Sequence, residues 1–204
     1  MQGGEKMTYG VVDLFCGVGG LTCGLEKAGL DVVAGYDLDA TCEYTYTYNN
    51  RAKFINKNVE EITGQEIKRQ LRGYDVKVLA GCAPCQPFSS HQKDKKNRKK
   101  HKDWKLLYQF GRLVEEVNPH IVSMENVPEL EFEQVFKDFV KTLERLKYKV
   151  TYKVVNAADY GVPQRRKRLL LLASKKKKIE FIEPTHSLPV TVRQVIGNLP
   201  PIEA

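Results

Sequence analysis

Tyr9-Gly10-Val11-Val12-Asp13-Leu14-Phe15-Cys16-Gly17-Val18-Gly19-Gly20 decides the fold of this chain. An apolar run ends in clustered glycines, after which Leu21, Leu25 and Ala28 recur at helical spacing up to Gly29. The order reads as strand, glycine turn, helix. Glycines at such a turn let the backbone approach a ligand closely, although a tight strand-to-helix turn alone gives the same pattern. Asp37 strengthens the ligand reading. An acidic residue at the end of the second strand, about twenty residues on, is placed to accept hydrogen bonds from ribose hydroxyls of a nucleoside-containing cofactor. No lysine follows the glycines as in a phosphate-binding P-loop, which disfavours ATP.

Outward from this unit the pattern repeats. Residues 31–36 read as a second strand, Phe54-Ile55 as a short third, and 75–81 as a fourth, with a helix over 60–71 between the last two. Tyr44-Thr45-Tyr46-Thr47-Tyr48 alternates as a strand does, yet a connection is needed there and Asn49-Asn50 ends it, so a helix is expected. Leu106, Leu107, Phe110, Leu113, Val114 and Val117 make an amphipathic helix stopped by Asn118-Pro119. A buried strand over 120–124 then delivers Glu125-Asn126-Val127-Pro128, and a helix follows from about 131 to 146. Residues 149–156 and 167–173 are both strand-like, with only 157–166 between them, including Gly161 and Pro163. That connection is too short for a crossover helix, so the two strands are expected as antiparallel neighbours at a sheet edge. The expected class is therefore α/β: a doubly wound, mostly parallel sheet with an antiparallel edge strand.

Composition narrows the partners. With 42% hydrophobic and 28% charged residues the chain reads as globular and of one core. The longest aliphatic run, Leu169-Leu170-Leu171-Leu172-Ala173, is far too short to span a bilayer, and the first seven residues lack the apolar segment of a signal peptide. Cys16, Cys23, Cys42, Cys82 and Cys85 are an odd number, which argues for free thiols, a reducing compartment and a cytoplasmic location. The formal net charge of +8 is concentrated: residues 91–105 hold eight Lys or Arg against two Asp. This favours a local anionic partner.

Beside that basic run stands Ala83-Pro84-Cys85-Gln86-Pro87-Phe88-Ser89. Each proline removes a backbone donor and fixes φ, so Cys85 belongs on a stiff loop, presented as a nucleophile. Cys82 and Cys85 form a C-x-x-C, but no second ligand pair accompanies it, so no metal is expected, and Pro87 stands where a redox pair would open a helix. Cys82 is expected as a small packed residue. Glu125 ends an apolar strand, which in a parallel sheet brings it to the same carboxyl edge as Cys85 and Asp37. Gln164-Arg165-Arg166-Lys167-Arg168 puts Arg166 and Arg168 on one face if the strand has begun there. Lysines 175–178 are expected as a solvated turn.

Taken together these residues resemble the DNA cytosine-5 methyltransferase family. The order D-x-F-x-G-x-G-G (Asp13 to Gly20), P-C-Q (Pro84 to Gln86), E-N-V (Glu125 to Val127) and Q-R-x-R-x-R, the last as Gln164, Arg165 or Arg166, and Arg168, is matched with family-like spacing, nearly the whole chain being covered. The resemblance implies a Rossmann-like domain binding S-adenosylmethionine, with Phe15 against the adenine, Gly17, Val18, Gly19 and Gly20 under the methionine part, Asp37 on the ribose, and Leu38, Asn58, Val59 and Leu106 completing the pocket. It implies that Cys85 thiolate adds to cytosine C6 while Glu125 acts at N3, with Arg168 on the base O2 and Arg166 ordering the thiol and a nearby phosphate. The base must be flipped out of double-stranded DNA. Gln86, Ser89, Lys95, Lys96, Arg98, Lys99 and Lys100 are the implied DNA contacts.

Three departures from the family pattern stand out. Asn58 occupies the position of an aspartate that accepts from the adenine amino group, Leu38 that of a larger platform, and the arginine expected in the loop just before Leu106 is not evident, Asp103 standing near that position. The catalytic domain is expected to be incomplete over 1–204, lacking the target-recognition region and later motifs, as in a split enzyme with a second chain or a truncated form. Methylation of tRNA cytosine, a catalytically silent nucleic-acid-binding subunit and, more distantly, a dithiol oxidoreductase are the competing readings.

Overall fold

In the computed structural model, which describes residues 7–84 and 104–200, seven strands form one sheet. They are β1 (Tyr9–Leu14), β2 (Asp31–Asp37), β3 (Lys53–Asn56), β4 (Val76–Gly81), β5 (Ile121–Asn126), β6 (Lys149–Asn156) and β7 (Lys167–Ser174). Their order is β3-β2-β1-β4-β5-β7-β6. Strands β1 to β5 are mutually parallel, whereas β7 runs antiparallel to both β5 and β6. The chain is thus an α/β doubly wound sheet with an antiparallel edge pair, as the spacing of residues 157–166 requires.

Helices cover both faces, which is why the central strands read as continuous apolar runs and do not alternate. On one face, Val12, Leu14, Leu79, Val122 and Leu171 pack against α3 (Gly64–Gln70), α4 (Trp104–Val117) and α5 (Gln134–Arg145) through Ile67, Phe110, Leu113, Phe136 and Leu143. On the other, Val11, Val32, Val78 and Ala80 meet Leu21 and Leu25 of α1 (Gly20–Lys27) and Tyr46 of α2 (Glu43–Asn49). Phe110 is fully buried at the α4–α5 contact, 5.4 Å from the Phe139 ring. Its replacement by alanine costs about 3–5 kcal/mol by the usual large-to-small rule.

The tyrosine-threonine run is helical, as expected. Tyr46 is buried, while Tyr44 and Tyr48 are exposed and stack at 6.0 Å, as i and i+4 residues on one helix face do. Two expected helices are shorter. Residues 60–71 divide into a 3₁₀ turn (Val59–Glu61) and α3, because the Thr63 hydroxyl accepts from Glu66 N–H and starts a new helix. The helix expected from 131 begins at Gln134, since Pro128–Phe132 forms a 3₁₀ turn and Glu133 is extended. A last helix, α6 (Val192–Ile196), is capped by Thr191 and Gln194 in a capping box.

Candidate functional site

Because β1 to β5 are parallel, their carboxyl ends share one edge, and the residues that follow them converge there. The turn after β1 is left-handed at Phe15 (φ 59), Gly17 (φ 49) and Gly19 (φ 90). Only glycine adopts such angles without strain. At Gly19 a side chain has no room either: a Cβ would lie 2.2 Å from Asn50 Nδ2 and 2.8 Å from the Tyr46 ring. The turn is tied to β2 by Asp37, whose Oδ2 accepts from Gly17 N–H (2.8 Å) and whose Oδ1 accepts from Asp39 N–H (2.9 Å). The other lone pairs of the carboxylate remain available for further donors.

Beneath the turn lies Asp13, fully buried. Its Oδ2 accepts from the Thr22 hydroxyl (2.8 Å), which is itself 3.0 Å from Tyr46 Oη, while Oδ1 has no partner among the described residues. Burial, opposed by the Thr22 hydrogen bond and reinforced by the Asp37 charge, pushes its carboxyl up from 3.8 to about 7. In the sequence Asp13 stands out only as part of the motif. Its burial is a product of helices packed on both sheet faces.

A cleft of ≈ 250 Å³ opens at this edge. Of the residues expected around a cofactor, Phe15, Asp37, Leu38, Asn58, Val59 and Leu106 line it. Gly17, Val18, Gly19 and Gly20 do not, and Val18 is 55% exposed. Five further residues form its walls: Leu14, Tyr36, Lys57, Ile62 and Pro84. Tyr36 and Lys57 directly precede predicted residues, so strand-end neighbours are the signal that could have found them. Lys57 Nζ is held by Glu66 Oε2 at 2.7 Å. Asn58 Oδ1 accepts from Glu60 N–H (3.1 Å), capping the 3₁₀ turn, and Arg112 on α4 fixes the same turn by donating to the carbonyls of Val59 and Ile62 (both 3.0 Å). Arg112, more than fifty positions away in the chain, carries no sequence signal for this task.

Pro84 lines the cleft directly before Cys85. Cys85 itself, with Gln86, Ser89, Lys95, Lys96, Arg98, Lys99 and Lys100, lies outside the described residues. What anchors the near side of that segment is Asn126: buried, it donates through Nδ2 to the Ala83 carbonyl (2.9 Å), and its Oδ1 accepts from Val127 N–H. The middle residue of the E-N-V motif therefore joins the end of β5 to the chain leaving β4.

Glu125 Oε1 is 2.7 Å from Arg168 Nε, with about a quarter of each side chain exposed. Glu125 pairs with Leu170 in the antiparallel β5–β7 ladder, so Arg168, two positions from Leu170, falls on the same face and diagonally adjacent. Arg166 departs from the expectation of a shared face. The strand begins at Lys167, and Arg166 is exposed before it, its carbonyl accepting from Ala157 N–H (2.9 Å). Cys82 is partly buried next to Glu125, and burial together with the Glu125 and Asp13 carboxylates pushes its thiol far up. Among the described residues no group of three or more His, Cys, Asp or Glu is placed to hold a metal ion. No described helix is long and apolar enough to cross a membrane.

The chain and its fold have counterparts among known proteins. Residues 9–201 match the model of the C-5 cytosine-specific DNA methylase family. The chain is 47% identical over 198 residues to the type II methylase M.HgiDII of Herpetosiphon aurantiacus, covering 95% of this chain and 55% of that protein. To the type II methyltransferase M.XorII of Xanthomonas oryzae pv. oryzae it is 34% identical, covering 95% of this chain and 47% of the other. The chain thus spans about half the length of the curated relatives it matches. Among solved structures, a protein assigned as a DNA modification methyltransferase encoded within an E. coli prophage superposes with a TM-score of 0.79 at 29% identity, covering 96% of this chain and 56% of that one. The S. pombe Dnmt2 methyltransferase shares the fold, with a TM-score of 0.68 at 20% identity over 86% of this chain and 52% of its own. With the motifs, the sheet order and these matches in agreement, the chain belongs to the C-5 cytosine-specific DNA methylase family.

Proposed function

We propose that these residues form the catalytic core of a restriction-modification methyltransferase that transfers a methyl group to C5 of cytosine in double-stranded DNA. The observation that carries the reading is the Glu125–Arg168 pair, 2.7 Å apart, at the sheet edge whose cleft includes Pro84, the neighbour of Cys85. The chemistry of the cleft suits S-adenosylmethionine. Phe15 offers an aromatic face and Asp37 an acceptor for ribose hydroxyls, and the adjoining turn, outside the cleft lining, has open space at Gly17 and Gly20 where side chains would stand. When bound, that cofactor supplies an electrophilic methyl group.

Cytosine C5 is a poor nucleophile. Addition of the Cys85 thiolate to C6 breaks the ring conjugation; Glu125, acting as an acid, gives a proton to N3 as negative charge develops there, and the resulting enamine is nucleophilic at C5, with O2 held by Arg168. Once C5 is substituted, loss of its proton restores the double bond and expels Cys85. The target base reaches these groups only when flipped from the duplex. Arg166 and the basic run at 91–105 are assigned to phosphates, and target recognition to a region outside these residues, on the same polypeptide or a second chain.

The test is methyl transfer by the enzyme together with its recognition region, scored as 5-methylcytosine in digested duplex DNA, with tRNA as the competing acceptor. Duplex DNA is expected to be methylated, and the Cys85→Ser variant to be inactive. Absence of 5-methylcytosine, or full activity of Cys85→Ser, overturns the reading.

A further inference from the structure

Cys82 is the part of the C-x-x-C pair that the proposed chemistry leaves unused. Its place is set from both sides. Gly81 pairs with Met124 in the parallel β4–β5 ladder, and two residues beyond, Asn126 Nδ2 donates to the Ala83 carbonyl at 2.9 Å. Cys82, one residue past the end of the ladder and between these two anchors, therefore stands beside Glu125. Its own amide donates to the Leu14 carbonyl (3.3 Å), which fixes the residue against β1. The Glu125 carboxylate, 2.7 Å from Arg168 on β7, thus has Cys82, just past the end of β4, as its neighbour on the other side.

We propose that Cys82 is a positioning residue, whose thiol donates to Glu125 and, with Arg168, holds that carboxyl group in a single orientation toward the base. The thiol is suited to this: partly buried and beside two carboxylates, it stays S–H at working pH, and an S–H is a donor without charge. Arg168 alone fixes one oxygen through Nε. A carboxylate anchored on one oxygen still rotates, and misplacement by about 1 Å is enough to cost about a hundredfold in rate.

This inference rests on the catalytic reading of Glu125, and the experiment separates the two. In the enzyme with its recognition region, Cys82→Ala is expected to lower kcat about tenfold with the KM for S-adenosylmethionine unchanged. Cys82→Ser, which restores a donor, is expected to recover most of that loss, whereas Cys82→Val, which restores only volume, is not. Equal rates for Ser and Ala, or recovery by Val, overturn the proposal in favour of packing. A readout independent of methyl transfer is site-resolved alkylation of Cys82: Glu125→Gln removes the adjacent charge and is expected to speed it several-fold relative to the parent protein at the same pH. No change overturns the contact. An inactive parent protein with accelerated Cys82 alkylation in Glu125→Gln supports the contact while refuting the methyltransferase reading.

Discussion

Arg168 Nε lies 2.7 Å from Glu125 Oε1, joining two residues 43 positions apart on antiparallel strands. With about a quarter of each side chain exposed, the pair is neither a screened surface contact nor a fully desolvated one. Glu125→Gln is expected to reduce kcat by about 10²–10⁴, the range for loss of a positioned acid. Arg168→Ala is expected to lower it as well, with a non-additive double variant whose coupling is about 0.5–3 kcal/mol. Lysine at 168 lacks the planar fork and is expected to rescue poorly. Single-turnover rates of the three variants check this, and strict additivity would count against a joint role.

Asn126 donates to the Ala83 carbonyl from a buried position. Asn126→Leu keeps similar bulk but leaves that carbonyl unpaired, an expected loss of about 1–3 kcal/mol. Urea denaturation at neutral pH measures it, and methyl transfer is expected to fall as well, because the same bond anchors Ala83-Pro84 ahead of Cys85.

Gly19 and Gly24 make a matched pair. Gly19→Ala places a Cβ 2.2 Å from Asn50 Nδ2 at φ 90, and is expected to destabilise the protein by at least about 1–3 kcal/mol and to weaken S-adenosylhomocysteine binding. Gly24, inside α1, has open space where a Cβ would stand, with no neighbour within 4 Å, so Gly24→Ala is expected to stabilise by about 0.5–1 kcal/mol with binding unchanged. Calorimetric titration with thermal melts distinguishes them.

Asp13 makes stability depend on pH. Its carboxyl is raised from 3.8 to about 7, so the folded protein binds this proton more tightly than the unfolded chain does. The stabilisation is complete below about pH 4 and is lost as pH rises through 7, on the order of 4 kcal/mol for the whole interval at about 1.36 kcal/mol per pH unit. Asp13→Asn keeps an acceptor for Thr22 and removes this titration. Urea midpoints between pH 5 and 8 are expected to decline more steeply for the parent protein than for Asp13→Asn, and parallel curves count against it.

The basic run at 91–105 gives the binding prediction. If six or more of its eight cations meet phosphates, duplex DNA affinity falls at least ~10³-fold between 50 and 200 mM salt. Fluorescence anisotropy over that range measures the slope, and a flat response removes the run from the interface.

Much of this was legible in the chain itself. Strand, turn and helix periods alone give the alternating α/β order, because each element's pattern repeats within a few residues, and the ten-residue spacing of 157–166 is enough to require the antiparallel pair. Gly19 and Asp37 could be singled out because their constraints are local: a left-handed angle, and a carboxylate at a strand end. The division of the expected helix at Thr63 was less legible, since a cap within a polar segment competes with propensity over only a few residues.

What only the tertiary structure decided are relationships between distant strands. That Arg168 meets Glu125 while Arg166 stays outside the ladder depends on β7 starting at Lys167, so that only Arg168 lies within the strand. That Asn126 clamps Ala83, that Arg112 supports the cleft wall, and that Asp13 is sealed from water all follow from packing elements 9 to 53 positions apart. The sequence by itself determined which chemical groups reach the carboxyl edge, because parallel connectivity puts the carboxyl ends of β1 to β5 there. Which of those groups touch was decided by strand order and register, which no local pattern encodes.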